Sequence, residues 1–101
     1  MPRKKCLRYI TNLPDVTYYK PAGIPMRILD EVVVSLDEME AIRLADYAHL
    51  YQEDAAAKMN VSRQTFGRIL VSAHQKIAEA LLFGKALRVE GGNVKLEKDK
   101  P

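Results

Sequence analysis

The stretch NVSRQTFGRIL, Asn60–Leu70, decides how this chain is read. Asn60 tolerates the left-handed backbone that ends a helix, and Ser62 can cap the next helix by accepting a first-turn amide. From Phe66 onward, Ile69 or Leu70, Ala73, Ile77 and Leu81 recur at steps of three and four, the inward stripe of a helix about 20 residues long. Gly84 marks its stop. Directly upstream, Gln52 to Met59 puts Ala55, Ala56 and Met59 on one side and Glu53, Asp54 and Lys58 on the other. Val61 packs into the turn between the two. Small alanines let two helices cross closely, so the spacing predicts a helix-turn-helix.

The second helix of such a pair can enter the major groove with its N-terminal residues at the base edges. Here those residues are Arg63, Gln64, Gly67 and Arg68, which the inward stripe leaves outside. Arg suits guanine and Gln suits adenine, each through paired hydrogen bonds. Gly67 costs about 0.5–1 kcal/mol of helix stability but lets the helix approach DNA closely. Ser62, Thr65 and the first-turn amides suit phosphate, with charge added by Lys58 and Lys76. A capped amphipathic helix after a short one also occurs in domains that bind no nucleic acid.

Charge distribution favours the DNA reading. The 101 residues carry a net charge of only +3. Residues 28–57, however, hold eight acids and one base, whereas 58–88 hold six bases and one acid. Arg3, Lys4, Lys5, Arg8 and Lys20 make the start basic as well. Separated segments of this kind present a basic face at low net charge. The composition, 48% hydrophobic and 29% charged, is that of one globular domain.

Cys6 stands alone and cannot close an internal disulfide, which favours a reducing compartment. No apolar run approaches the roughly 18 residues needed to cross a bilayer, and MPRKKC leads into no signal-peptide core. The expectation is a soluble, cytoplasmic protein with no membrane partner.

Around the central pair the chain reads more simply. Four prolines keep residues 1–34 out of a long helix, leaving a basic, proline-containing arm or extended segment. Short strands are candidates at Leu7 to Ile10, Thr17 to Tyr19 and Val32 to Val34. SLDE at Ser35 to Glu38 is a capping box, opening a helix from about residue 36 to 47 or 48. Leu36, Met39, Ile42 and Ala45 form its apolar side, with the acids on a solvated face. The helix-turn-helix domain spans 35–84, a short extended segment 85–92, and a polar, fraying tail 93–101. The fold class expected is all-α, with short extended pieces at both ends.

Other chemistry is poorly supported. Cys6, His49 and His74 have no metal-ligand spacing, so neither a metal nor a cofactor is expected. Cys6 reads as a packed residue or a free thiol, His49 as a helix end, and His74 as facing phosphate or solvent. Asp37, Glu38 and Glu40 suggest paired carboxylates, but capping explains them with less. An enzyme is not expected.

From Met1 through Gly92 the chain resembles a family of prokaryotic proteins described as predicted DNA-binding proteins, the UPF0251 or DUF134 family. The resemblance rests on MPRKKC, LPDVTYYKPAGIP, SLDEMEAIRLAD, MNVSRQTFGRIL and KALRVEGG, in that order. Residues 35–82 also resemble region 4 of bacterial sigma factors, where the helix after the VSR turn sits in the major groove. That resemblance implies a sigma region 4-like bundle and assigns the groove role to Ser62, Arg63, Gln64, Thr65, Gly67 and Arg68. Tyr51 departs from the family, which commonly has a capping Ser there.

The reading is therefore sequence-specific binding of double-stranded DNA by a transcriptional regulator. Arg63, Gln64, Gly67 and Arg68 face bases, while Arg3, Lys4, Lys5, Lys58, Ser62, Thr65 and Lys76 face phosphate. One copy reads only a short site, so a homodimer or contact with RNA polymerase is expected. The aromatic, proline-rich start and KALRV are the candidate dimer pieces. Two other readings compete: a protein-interaction module of the transcription machinery, and an RNA-binding protein.

Overall fold

The computed structural model describes residues 7–97, so Arg3, Lys4, Lys5 and Cys6 lie outside the described residues. Among the described residues three short strands come first, three helices follow, and two further short strands end the order. They are β1 (Arg8–Ile10), β2 (Tyr18–Tyr19), β3 (Glu31–Val34), α1 (Leu36–Ile42), α2 (Gln52–Lys58), α3 (Arg63–Phe83), β4 (Ala86–Val89) and β5 (Val94–Leu96). The fold is mixed α/β, which overturns the all-α expectation.

Two sheets make the difference. In one, β4 lies in the middle, parallel to β3 (Val32↔Leu87, Val34↔Val89) and antiparallel to β2 (Tyr18↔Arg88). In the other, β1 and β5 pair in parallel, Arg8 opposite Val94. Val94–Leu96 is thus a strand where a fraying tail was expected. The reason is that every strand is two to four residues long and pairs with one distant in sequence. Stability of such strands comes from the partner and the layer beneath, not from their own pattern. Parallel strands need a long crossover, and here all three helices form the crossover from β3 to β4. On the sheet's outer face, Glu31 accepts from the Tyr18 hydroxyl and the Arg88 guanidinium, each at 2.8 Å.

Beneath the sheet, Val32, Val34, Ala86 and Val89 are buried, as are Ala73 and Ala80 of α3, which packs against β3 and β4. A second cluster joins Ala41, Leu44, Ala55, Ala56, Met59, Phe66, Ile69 and Leu70 across the three helices. The stripe of α3 holds as far as Ala73. At the far end Ala80 is buried while Leu81, expected inside, is exposed. A helical period drifts over 21 residues, so a stripe read from one end loses phase at the other.

The phase of α1 also differs from expectation. Asp37, Glu38 and Glu40 are buried, not solvated, and the inward apolar positions are Ala41 and Leu44. Beyond Ile42 the backbone loosens into a π-turn over Arg43–Tyr47, with the Ala48 amide on the Arg43 carbonyl at 2.8 Å, and His49 ends it at φ 58°.

Buried carboxylates are costly unless matched by donors, and each of these is matched. Glu38 closes the Ser35 capping box through the Ser35 amide at 2.9 Å. It also accepts from the Ser72 hydroxyl at 2.5 Å and the Lys76 ammonium at 2.8 Å, both on α3. Asp37 accepts from the Ser35 hydroxyl and from the Arg8 guanidinium on β1. Glu40 holds Arg43 at 2.9 Å and Thr11 at 3.2 Å. Gly92, at φ 104°, turns the chain onto this cluster, and a Cβ there would stand 2.8 Å from Asp37 Oδ1.

Burial raises the Asp37 carboxyl's affinity for a proton, but the bonds from Ser35 and Arg8 outweigh it and hold the pKa below its ordinary 3.8. Glu38 behaves alike: burial opposes its charge, yet Lys76 and Ser72 bring it below its ordinary 4.5. Both pKa values are depressed in the folded chain, so the stabilisation is complete above the ordinary values and is lost as pH falls through the folded ones. Thermal melts should therefore show stability falling below about pH 4.5, less steeply in Glu38→Gln. At neutral pH, Glu38→Ala should cost about 2–3 kcal/mol by chemical denaturation. An unchanged midpoint would mean the network contributes nothing.

Candidate nucleic-acid interface

Tyr51 precedes α2 with extended backbone and makes no side-chain cap, so the departure from Ser leaves this helix start uncapped. Glu53 and Asp54 in the first turn suit the positive end of the helix dipole. Ala55 and Ala56 are fully covered by α3, as small side chains at a close crossing should be. Met59, wholly buried, ends α2. Asn60 then takes the left-handed conformation at φ 61°, and the Val61 amide closes the turn on the Ala56 carbonyl at 3.0 Å. Val61 packs on the helical core. The Ser62 hydroxyl accepts from the Thr65 amide at 3.1 Å and opens α3.

A further restraint comes from outside the helices. The Tyr9 amide of β1 donates to the Met59 carbonyl at 2.9 Å, so the turn is anchored to the small β1–β5 sheet. Nothing in the local sequence signals this bond.

Arg63, Gln64 and Arg68 are exposed along the first turns of α3. Among the described residues none of the three has a hydrogen-bonding or ionic partner, and Lys58 is equally unengaged. Most of the other described bases differ, although Arg27 is also without a partner and Lys20 donates only to the Pro21 and Ile24 carbonyls. Arg8, Arg43, Lys76, Lys85, Arg88 and Lys95 each pair with a carboxylate. Gly67 lies between the exposed positions, and a Cβ there would meet only Gln52 Oε1, at an ordinary 3.7 Å. The protein's own packing therefore does not require glycine at 67.

Gln52, Gln64, Gly67, Arg68, Ser72 and Gln75 share one open concavity between α2 and α3. Gln52 was not singled out by the sequence, because its place over Gly67 follows from the angle between the helices. A second cleft, of about 700 Å³, runs past Ser62 and Thr65 to Arg8, Gly92 and Asn93. It places the start of α3 beside the β1–β5 sheet.

Two expected contacts are arranged differently. Lys76, expected at phosphate, has its ammonium on the buried Glu38. Ser72, further along the same side, donates to that carboxylate too. His74 Nε2 stands 2.6 Å from Asp46, giving the ring a protein partner. Among the described residues no group of three His, Cys, Asp or Glu side chains is placed to hold a metal, and no helix is long and apolar enough to cross a membrane.

No solved structure matches the chain significantly. A family model described as "Protein of unknown function DUF134" matches residues 1–97. A UPF0251 protein of Caldanaerobacter subterraneus subsp. tengcongensis is 55% identical over 96 residues, 95% of this chain and 81% of the relative. One from Thermoanaerobacter pseudethanolicus is 53% identical over 96 residues, again 95% and 81%. Another, from Dehalococcoides mccartyi, is 54% identical over 97 residues, 96% of this chain and 83% of the relative. With the model spanning nearly every residue and relatives this similar along most of their length, the chain belongs to the DUF134 (UPF0251) family.

Proposed function

We propose that this chain binds duplex DNA, with α2, the Met59 to Ser62 turn and α3 acting as a helix-turn-helix of the sigma region 4 kind. The first turns of α3 enter the major groove, where Arg63, Gln64 and Arg68 face base edges and Gly67 permits close approach. Lys58, Ser62 and Thr65 lie toward the backbone. The observation that carries the reading is the row of uncommitted polar side chains on a helix whose other face is fixed in the core. A base left without an acid partner is available to a polyanion, and Lys58, Arg63 and Arg68 lie together at the turn and the start of α3. Residues Arg3, Lys4 and Lys5 extend the same sign of charge in the chain before β1. The role is that of a cytoplasmic transcriptional regulator, a binding function rather than a catalytic one, acting as a dimer or beside RNA polymerase.

Selection of bound fragments from random duplexes tests this directly. Affinity should fall steeply with salt, log K dropping by about 0.9 for each phosphate neutralised. On the selected site, Arg63→Ala or Gln64→Ala should cost about 1–3 kcal/mol and relax preference at one position, whereas Lys58→Ala should weaken all sequences alike. Lys76→Ala, by contrast, should lower stability and leave the salt slope nearly unchanged. No duplex binding even near 50 mM salt would sink the reading, since nonspecific phosphate contacts are strongest there.

Gly67→Ala separates packing from approach. It should raise folding stability by about 0.5–1 kcal/mol, because glycine is the poorer helix former and the added methyl meets nothing tight. The same change should weaken DNA binding. If affinity is untouched, Gly67 is not at the contact.

A further inference from the structure

The opposite end of α3 is as unusual as its start. Leu81, Leu82 and Phe83 are 76%, 75% and 71% exposed. Three consecutive helical residues point roughly 100° apart, so they cannot share one buried face, and the last turn projects as an apolar knob. Beside it, Tyr19, Pro21 and Leu87 form with Leu81 an apolar groove. Ile28, 67% exposed, leads into the same end of the molecule, where the Asp30 carbonyl accepts from the Ala86 amide at 2.9 Å. The rim is charged: Lys85 pairs with Glu79 at 2.7 Å, and the Lys20 ammonium donates to the Ile24 carbonyl at 2.8 Å. An apolar centre inside a polar rim is the anatomy of a protein interface.

We infer that this end of α3, with the groove beside it, is the contact between two copies of the chain. At about 150–200 Å² for each large side chain when bare, Leu81, Leu82, Phe83, Tyr19 and Ile28 together expose on the order of 600 Å² of surface. That is at the upper limit for a patch left open on a monomer, and it is most of the ~800 Å² per partner of a standard interface. A second copy also matches in shape, since each brings both a projecting knob and a groove, as a two-fold contact requires. The location is distinct from the reading end, because α3 spans 21 residues, about 32 Å, between the two.

One geometric consequence rests on the DNA reading. Two α3 helices touching at their C-terminal ends place their N-termini about 34 Å apart, one turn of B-DNA, when they open at about 65°.

The test needs no DNA, so its outcome is separate from that of the binding experiments. Sedimentation of the full chain at ~50 μM, above the Kd expected of an interface of this size, should give a dimer. The double variant Leu82→Glu, Phe83→Glu should sediment as a monomer with an unchanged circular dichroism spectrum, because both side chains are outside the core. Should two charges disturb folding, Phe83→Ala alone should raise the dimer dissociation constant at least about tenfold. A monomeric wild type overturns the inference, and so does a dimer that these changes leave intact.

Discussion

The carboxylate of Glu38 lies where three parts of the chain meet. It completes the cap of α1 through the Ser35 amide, and it draws the Ser72 hydroxyl and Lys76 ammonium of α3 onto the same point. An ion taken out of water binds its donors more strongly than one at the surface, and tolerates their loss less. The crossing of α1 and α3 is thereby tied to one group. Asp37 and Glu40 extend the tie to Arg8 of β1 and to Thr11. The helical body, the β1–β5 sheet and the start of α1 are thus connected by charge as well as by packing.

The candidate interface inherits its geometry from that connection. With one side of α3 in the core and its middle held by Glu38, the first turns have little freedom to rotate. β1 restrains the turn itself through Tyr9 and Met59. A site built on elements restrained from several sides loses less entropy when a partner binds. The division of cations follows the same logic. Those beside α1, such as Arg8, Arg43 and Lys76, neutralise carboxylates inside the fold, whereas Arg63, Arg68 and Lys58 lie beyond their reach. Low net charge therefore hides a local excess, and a sum over the whole sequence understates it.

α3 also links two surfaces of opposite character. Its start is polar and uncommitted, and its end is apolar and unusually bare. A single rigid helix that carries a reading end and a self-associating end would fix the distance between two sites without any additional domain.

Local chemistry determined much of this by itself. The capping box at Ser35, the cap at Ser62, the left-handed Asn60, the stop at Gly84 and the outward side of Arg63, Gln64 and Arg68 follow from interactions within a few residues. Such interactions form wherever the segment is helical, so spacing reveals them. Strand pairing is different. β4 is a strand because β2 and β3 flank it from positions far away in the chain, and β5 because β1 lies alongside. The buried acids of α1, the pairing of Lys76 with Glu38 and the exposure of Leu81 likewise depend on which elements arrive opposite them. Residue type sets what a side chain needs, a donor, an apolar neighbour or water. Only the tertiary arrangement decides which of these it meets.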